Sequence, residues 1–243
     1  MEKMKIRLIE TPAKSAFMNM GIDEALMNLT TLPTLRLYSW KPPAVSLGYF
    51  QNVTDEVNVE KCRELGVDVV RRVTGGGAVF HDTELTYSFI TKNYPPGILE
   101  SYQLICGAVI KGLAKVGVNA AFAPLNDIVM GGKKISGNAQ TRKKSVLLQH
   151  GTILLQVDVE KMFSILKVPD EKMKDKIIKN VKERVVGLNM PFDNVSDGIK
   201  QGFAEQFNAQ LAPSAVTAEE LLLAEKFAND KYSSTEWLFE KRV

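Results

Sequence analysis

The 243 residues amount to roughly one and a half average domains, enough to bury a core without a disulfide or metal staple. A hydrophobic share of 45% and a charged share of 24% are those of a globular chain, which excludes a disordered, fibrous or collagen-like one. Thirty-one Lys and Arg against 28 Asp and Glu leave a formal charge of +3, too little to point to nucleic acid or a membrane surface.

Two cysteines, Cys62 and Cys106, exclude a secreted disulfide framework, and two histidines exclude a zinc-finger array. Glu2, Lys3, Lys5, Arg7 and Glu10 leave no signal-peptide core at the start. The longest uncharged runs, 42–54 and 145–157 among them, fall short of the ~18 residues that suggest a membrane span. The expectation is a cytoplasmic protein.

In chain order, 6–8 reads as a strand and 19–29 as a helix, with Ile22, Ala25, Leu26 and Leu29 on one apolar face. Strands are predicted at 35–38 and, after Pro42 and Pro43, at 44–48. Asn58 caps a helix that ends at Gly66, and 67–72 is again β-rich. Two more strands follow at 78–80 and 86–91. The longest helical pattern is 101–116, stopped by Gly117. Strands are predicted at 118–122 and 128–130, and Gly131-Gly132 turns the chain back through 133–136. Strands at 146–148 and 152–157 complete the series. From Val159 onward the pattern is mostly helical: Asp158 caps one helix, Pro169 separates the next, and Thr217 with Glu219 and Glu220 starts the last. Strands joined by hairpins, with helices segregated behind them, predict an α+β fold with a mixed, mainly antiparallel sheet. The absence of repeats and linkers predicts one domain over 1–243, with a possible helical subdivision after about 160.

Four segments carry chemistry. The first is Arg71-Arg72-Val73-Thr74-Gly75-Gly76-Gly77-Ala78-Val79-Phe80-His81-Asp82. Three glycines let the backbone approach a ligand, bare N–H groups cradle anionic oxygens, and the arginines add charge-assisted bonds. The bland alternative is a flexible hairpin with two solvated arginines. His81-Asp82 reads as an acid–base pair or an anchored loop. The second segment is Gly131-Gly132-Lys133-Lys134-Ile135-Ser136-Gly137-Asn138-Ala139-Gln140, in which alternation puts Lys134 and Ser136 on one face. A Lys134 ammonium held in a pocket would bind phosphate or stabilise an acyl oxyanion; otherwise it is one more solvated lysine. The third is Asn126-Asp127, a phosphate and magnesium pair or a turn. The fourth is Gln149-His150-Gly151-Thr152, where His150 lines a pocket or satisfies a buried backbone group.

Together these segments resemble the lipoate–protein ligase A family, within the lipoyl and biotinyl ligase and octanoyltransferase superfamily. Supporting matches are 19–26, Ser46-Leu47-Gly48-Tyr49-Phe50-Gln51-Asn52, and the tail from Lys231-Tyr232-Ser233 to Glu236-Trp237. The resemblance implies a biotin/lipoate ligase-like catalytic domain. It also implies an ATP-dependent ligase that converts lipoate and Mg2+-ATP to lipoyl-AMP and passes the lipoyl group to a lysine of an acceptor lipoyl domain.

By motif position, Lys134 is the implied catalytic residue, contacting the lipoyl carbonyl and the phosphate. Arg72 and the backbone of Gly77, Ala78, Val79 and Phe80 would hold the nucleotide, with Gly75, Gly76, His81, Ser136 and Gly137 in the same pocket. Asn126 would sit at the adenylate, Asp127 at its metal, and the dithiolane tail past Tyr38, Gly48 and Val79. The implied acceptor is a dehydrogenase E2 lipoyl domain, a glycine-cleavage H-protein or a lipoate-binding protein. The chain resembles a short form without the family's C-terminal accessory domain, so a separate accessory polypeptide is an expected partner; a monomer is expected.

The alternative is an octanoyl or lipoyl acyltransferase acting from an acyl carrier protein or a lipoylated donor. Such transferases carry the acyl group on a cysteine in an extended loop before the lysine motif. Here that stretch, Ala121-Phe122-Ala123-Pro124-Leu125-Asn126-Asp127, is short and holds no cysteine, which favours the ligase. His81 to Ser88 and Ser136 to Arg142 match the transferase wording as well as the ligase wording. The segment 161–184 carries Lys161, Lys167, Lys172, Lys174, Lys176, Lys179, Lys182 and Arg184 against Asp170, Glu171, Asp175 and Glu183. It steers an acidic acceptor domain or is a solvated helical face.

Overall fold

A computed structural model describes residues 3–168 and 174–241. The break expected at Pro169, and the charges Asp170, Glu171 and Lys172, lie outside those residues.

The main sheet has eight strands in the order β11-β1-β2-β6-β10-β9-β8-β7. These are β1 (Met4–Glu10), β2 (Thr34–Tyr38), β6 (Glu84–Thr91), β7 (Ala121–Ala123), β8 (Asp127–Met130), β9 (Lys133–Lys143), β10 (Val146–Leu154) and β11 (Ala209–Ser214). The run from β2 through β7 is antiparallel, whereas β1 pairs in parallel with both β2 and β11. A smaller sheet sets β3 (Ala44–Leu47) between β4 (Asp68–Arg71), parallel, and β5 (Val79–His81), antiparallel. The fold is thus α+β with mainly antiparallel sheets, as the hairpin spacing predicts.

Every residue of β6 is buried, so the sheet is covered on both faces. Leu85, Tyr87 and Phe89 join the core under α4 (Ile98–Lys115) and α7 (Phe192–Gln206). Those two helices cross so closely that a Cβ at Gly112 would lie 2.7 Å from the Gly198 carbonyl oxygen. On the opposite face, Ile90 packs with Ile22 and Leu26 of α1 (Ala16–Leu29) and with Ala224 of α8 (Ala218–Phe227). The predicted single apolar stripe of α1 understates its burial. Covered by the sheet and by α8, it also buries Asn19, Asp23 and Glu24.

Short helices α2 (Val53–Glu56) and α3 (Val59–Glu64) follow β3, and α5 (Val159–Ile165) and α6 (Lys174–Arg184) follow β10. Two differences from the predicted elements have tertiary causes. The strands predicted at 146–148 and 152–157 are one strand, β10, because pairing on both sides with β6 and β9 carries it through Gly151. The mostly helical reading after Val159 misses β11, an edge strand whose Pro213 is tolerated there and whose ladder comes from β1. The chain ends in two π-helical turns, Ala228–Tyr232 and Glu236–Glu240. Lys231 and Tyr232 bond the buried Glu24 carboxylate at 2.7–2.9 Å, clamping the tail onto α1.

Candidate functional site

Between the two sheets lies a cavity of about 170 Å³. Its floor is one face of the main sheet. The register aligns Thr86 with Thr152 and Thr152 with Gly137, and beside that row Ser88 with His150 and His150 with Ala139. Its roof is the small sheet and the glycine loop: Ser46, Arg72, Gly77, Ala78, Val79 and His81. Met20, Tyr38 and Trp40 form an apolar side wall. A second cavity of about 410 Å³ shares Ala78, Val79, Lys134, Gly137 and Thr152 with the first, so Lys134 stands between the two.

The lysine hairpin does not follow simple alternation. Val129 pairs with Lys134 but Ile128 pairs with Ser136, so Ile135 is an extra residue in a β-bulge. The bulge turns Lys134 to the same face as Asp127 and Gly137, and sends Ser136 to the opposite face with Ile128 and Ile153. Lys134 accordingly reaches the cavity with its side chain 40% exposed and its Nζ 2.8 Å from Asp127. Ser136 is fully buried and lines neither cavity. The expectation that the two share a face fails for that reason.

Arg71 and Arg72 are neither solvated nor free for an anion. Arg71 is fully buried and donates to the carbonyls of Gly48, Tyr49, Gln51, Trp237 and Leu238, tying the tail to the loop after β3. Arg72 spends all five of its N–H donors on the protein: Thr74 Oγ1 from Nε, the Ser46 carbonyl and Oγ from Nη1, and the Gly75 and Gly77 carbonyls from Nη2. Burial lowers its pKa to about 10. Gly76, at φ +95°, lets the loop fold over this guanidinium. Arg72 therefore braces the glycine loop, and the fork expected to hold a nucleotide phosphate is already satisfied.

Both histidines line the cavity and each is held by a carboxylate. His81 bonds Glu84 through Nδ1 at 2.7 Å and Ser46 Oγ through Nε2 at 2.8 Å. Its partner is Glu84 rather than Asp82, which pairs with Lys161 instead. His150 bonds Thr74 Oγ1 through Nε2 at 2.7 Å and lies 3.5 Å from Asp23. Burial, outweighing that carboxylate, pushes His150 below its ordinary value of 6.5. Burial would raise Asp23, but Arg36, bonded at 2.8 Å, and His150 outweigh it and hold the carboxyl below its ordinary range.

Of the other residues singled out, Asn126 and Gly137 line the cavity, Phe80 lines the second one, and Gly75 lines a separate cleft beside Lys143 and Lys144. Gly76 lines none of these three. Asn126 and Asn138 bond each other's carbonyls, which fixes the strand edge beside Lys134. Tyr38 and Val79 line the cavity; Gly48 instead lies against the glycine loop, where any Cβ would meet the Gly76 carbonyl. Among the described residues no group of three or more His, Cys, Asp and Glu converges as a metal site, and Asp127 is paired to Lys134. Neither cysteine lines either cavity; both are buried, and burial raises Cys62 to about 11 and Cys106 to about 12. In the segment expected to steer a partner, Lys161, Lys167 and Lys182 are engaged with Asp82, the Thr54 carbonyl and Glu160. The sequence patterns assign no role to Ser46, Glu84, Thr86, Trp40 or Asp23. The one available signal was polar residues at helical or strand spacing within apolar runs.

The chain is similar to the octanoyltransferase LipM of Brevibacillus brevis, 36% identical over 95% of this chain and 97% of that protein. Among solved structures it is similar to one from an archaeal lipoylation system, described as a bi-partite lipoate protein ligase and its E2 lipoyl domain, from Thermoplasma acidophilum. That match has 31% identity and a TM-score of 0.91, covering 100% of this chain and 98% of that one. It is also similar to a lipoate-protein ligase A bound with ATP, at 29% identity and a TM-score of 0.85, over 98% of this chain and 99% of that one. The fold is thus that of the lipoate ligases. The expected ATP-dependent lipoate ligation is overturned by the octanoyltransferase relative, which spans the chain nearly end to end and agrees with the acyltransferase alternative. The ATP-bound structure shows that the fold accepts a nucleotide in that neighbour, while in this chain the Arg72 donors are already occupied. Matched by the family pattern over residues 15–208, the chain is an enzyme of the lipoyl protein ligase A/B catalytic domain family.

Proposed function

We propose that this chain is an acyltransferase that moves an octanoyl group from a thioester on an acyl carrier protein to the ε-amine of a lysine on a lipoyl domain. The observation that carries the reading is the cavity itself. It offers an apolar wall of Met20, Tyr38, Trp40 and Val79 to an acyl chain, with a single half-exposed ammonium, Lys134, where the carbonyl would sit. The octanoyltransferase relative supports the identity of the acyl group, and the neighbour described with its own E2 lipoyl domain supports the acceptor. A thioester is already activated, so no nucleotide, no metal at Asp127 and no accessory polypeptide is needed for transfer.

In this reading Lys134 donates to the oxyanion that develops when the thioester carbonyl is attacked. Asp127 holds Lys134 in place, and the Asn126–Asn138 pair keeps the strand edge rigid. Lipoate shares the eight-carbon acyl chain, so a lipoylated donor should compete for the same wall.

The test is octanoyl-acyl carrier protein mixed with an unmodified E2 lipoyl domain, a glycine-cleavage H-protein or a lipoate-binding protein, without nucleotide. The acceptor's intact mass is followed. The expected result is one added octanoyl group on at least one acceptor, lost with Lys134→Ala. No acylation of any of the three would overturn the reading.

A further inference from the structure

Transfer between two carrier proteins through one cavity calls for a group that holds the acyl chain between visits, and neither cysteine reaches the cavity. The geometry points to Ser46 as that nucleophile, activated by His81 and Glu84; this rests on the acyltransferase reading above. Ser46 Oγ lies 2.8 Å from His81 Nε2, and His81 Nδ1 lies 2.7 Å from Glu84 Oε1. That is the nucleophile–base–orienter arrangement of an activated hydroxyl. With the ring proton on Nδ1, facing Glu84, Nε2 is free to accept the serine proton.

The base is held on every side. Its ring stacks on Trp40 at 4.0 Å between centroids and 16° between planes. Glu84 also accepts from Thr86 Oγ1 at 2.6 Å, and Thr86 in turn accepts from Trp40 Nε1 at 2.7 Å. Arg72 Nη1 donates to Ser46 Oγ at 3.1 Å, which favours the alkoxide as the proton leaves. Ser46, His81, Trp40, Thr86 and Lys134 all line the same cavity. The parallel set Thr74–His150–Asp23 does not qualify. Thr74 is fully buried, does not line the cavity, and its histidine sits 3.5 Å from the carboxylate.

The step balances without any further reactant. Ser46 Oγ bonds to the thioester carbonyl carbon as its proton passes to His81 Nε2, with the oxyanion facing Lys134. The C–S bond then breaks, and the leaving thiolate takes the proton from His81. This leaves an octanoyl ester on Ser46. The acceptor amine next attacks that ester and gives a proton to His81. The C–O bond breaks and Ser46 Oγ recovers the proton. Thioester, oxygen ester and amide descend in that order, so both halves run forward.

The test incubates the full chain with octanoyl-acyl carrier protein and no acceptor, quenches in acid and maps the adduct by mass spectrometry. The expected result is a single octanoyl group on the peptide holding Ser46, stable to neutral hydroxylamine, which cleaves thioesters, and chased onto an added lipoyl domain. Ser46→Ala should lose the adduct and slow transfer at least about 100-fold while the chain stays folded, as its circular dichroism would show. Ser46→Cys should keep turnover through an adduct that hydroxylamine now removes. If the wild-type chain acylates the lipoyl domain while Ser46→Ala does so at the same rate, or the adduct maps to Cys62 or Cys106, the assignment of Ser46 is overturned and the acyltransferase reading stands. If the wild-type chain acylates no acceptor, the acyltransferase reading itself is overturned.

Discussion

The two walls of the cavity use their cations in opposite ways. On the glycine-loop wall, Arg72 is buried and every one of its N–H groups meets an oxygen of the protein. On the hairpin wall, Lys134 is half-exposed and held by one carboxylate. The first wall is built before any substrate arrives, since its arginine fork is committed to carbonyls and hydroxyls of the protein. The second is a point charge that Asp127 orients and that keeps donors to spare. Preorganisation and response are thus divided between two residue types that carry the same formal charge.

The strongest way to break this comparison is Arg72→Met. It leaves the carbonyls of Ser46, Gly75 and Gly77 without their donor, at about 1–3 kcal/mol for each buried group. Urea denaturation should show a loss of at least about 3 kcal/mol. Lys134→Ala should do the reverse. Octanoyl transfer should fall by about 10²–10³-fold, the usual cost of losing one oxyanion donor. The unfolding free energy should fall by no more than the ~1 kcal/mol of an exposed ion pair. A Lys134→Ala variant that unfolds readily would erase the distinction between the walls.

Gly48→Ala tests the brace from outside. The new methyl meets the Gly76 carbonyl, so the loop must shift, at about 1–3 kcal/mol, visible as a lower thermal midpoint and increased proteolysis near Gly76. A pH series sharpens the comparison further. Burial keeps His150 neutral below its ordinary value of 6.5, so as pH falls below that value the unfolded chain takes up a proton that the folded chain refuses. Stability should therefore decline on acidification from pH 6.5, and His150→Gln should flatten that slope in denaturation curves at pH 7.5 and 5.5. The smallest effect belongs to Asp127→Asn. It should leave stability within about 1 kcal/mol and lower transfer only a few-fold, because Asp127 orients Lys134 without reaching the acyl group.

Legibility from sequence followed locality. The α4 pattern, the Gly131-Gly132 turn and the antiparallel hairpin strands were readable because their signals lie within a few residues of one another. β11 was not readable, since its partner β1 is some two hundred residues away. The glycine motif and the lysine motif were recognised as chemistry, and Arg72, His81, Asn126, Lys134 and Gly137 do meet at one cavity. Ser136 does not, because a single bulged residue reverses the alternation that paired it with Lys134.

By itself, the sequence determined the class of fold, the family and the two motifs that face each other, because backbone preferences and motif spacing are properties of the chain. Tertiary structure alone decided what each polar group does. Arg72 became a brace because Ser46 and the glycine carbonyls close around it, and His81 acquired Glu84 and Ser46 rather than Asp82. Lys134 remained available because the bulge turns it to the cavity face, where Asp127 is its ion-pair partner among the described residues. A hydrogen-bonding group is defined by the partners that surround it, and those partners are brought together only when the sheets stack.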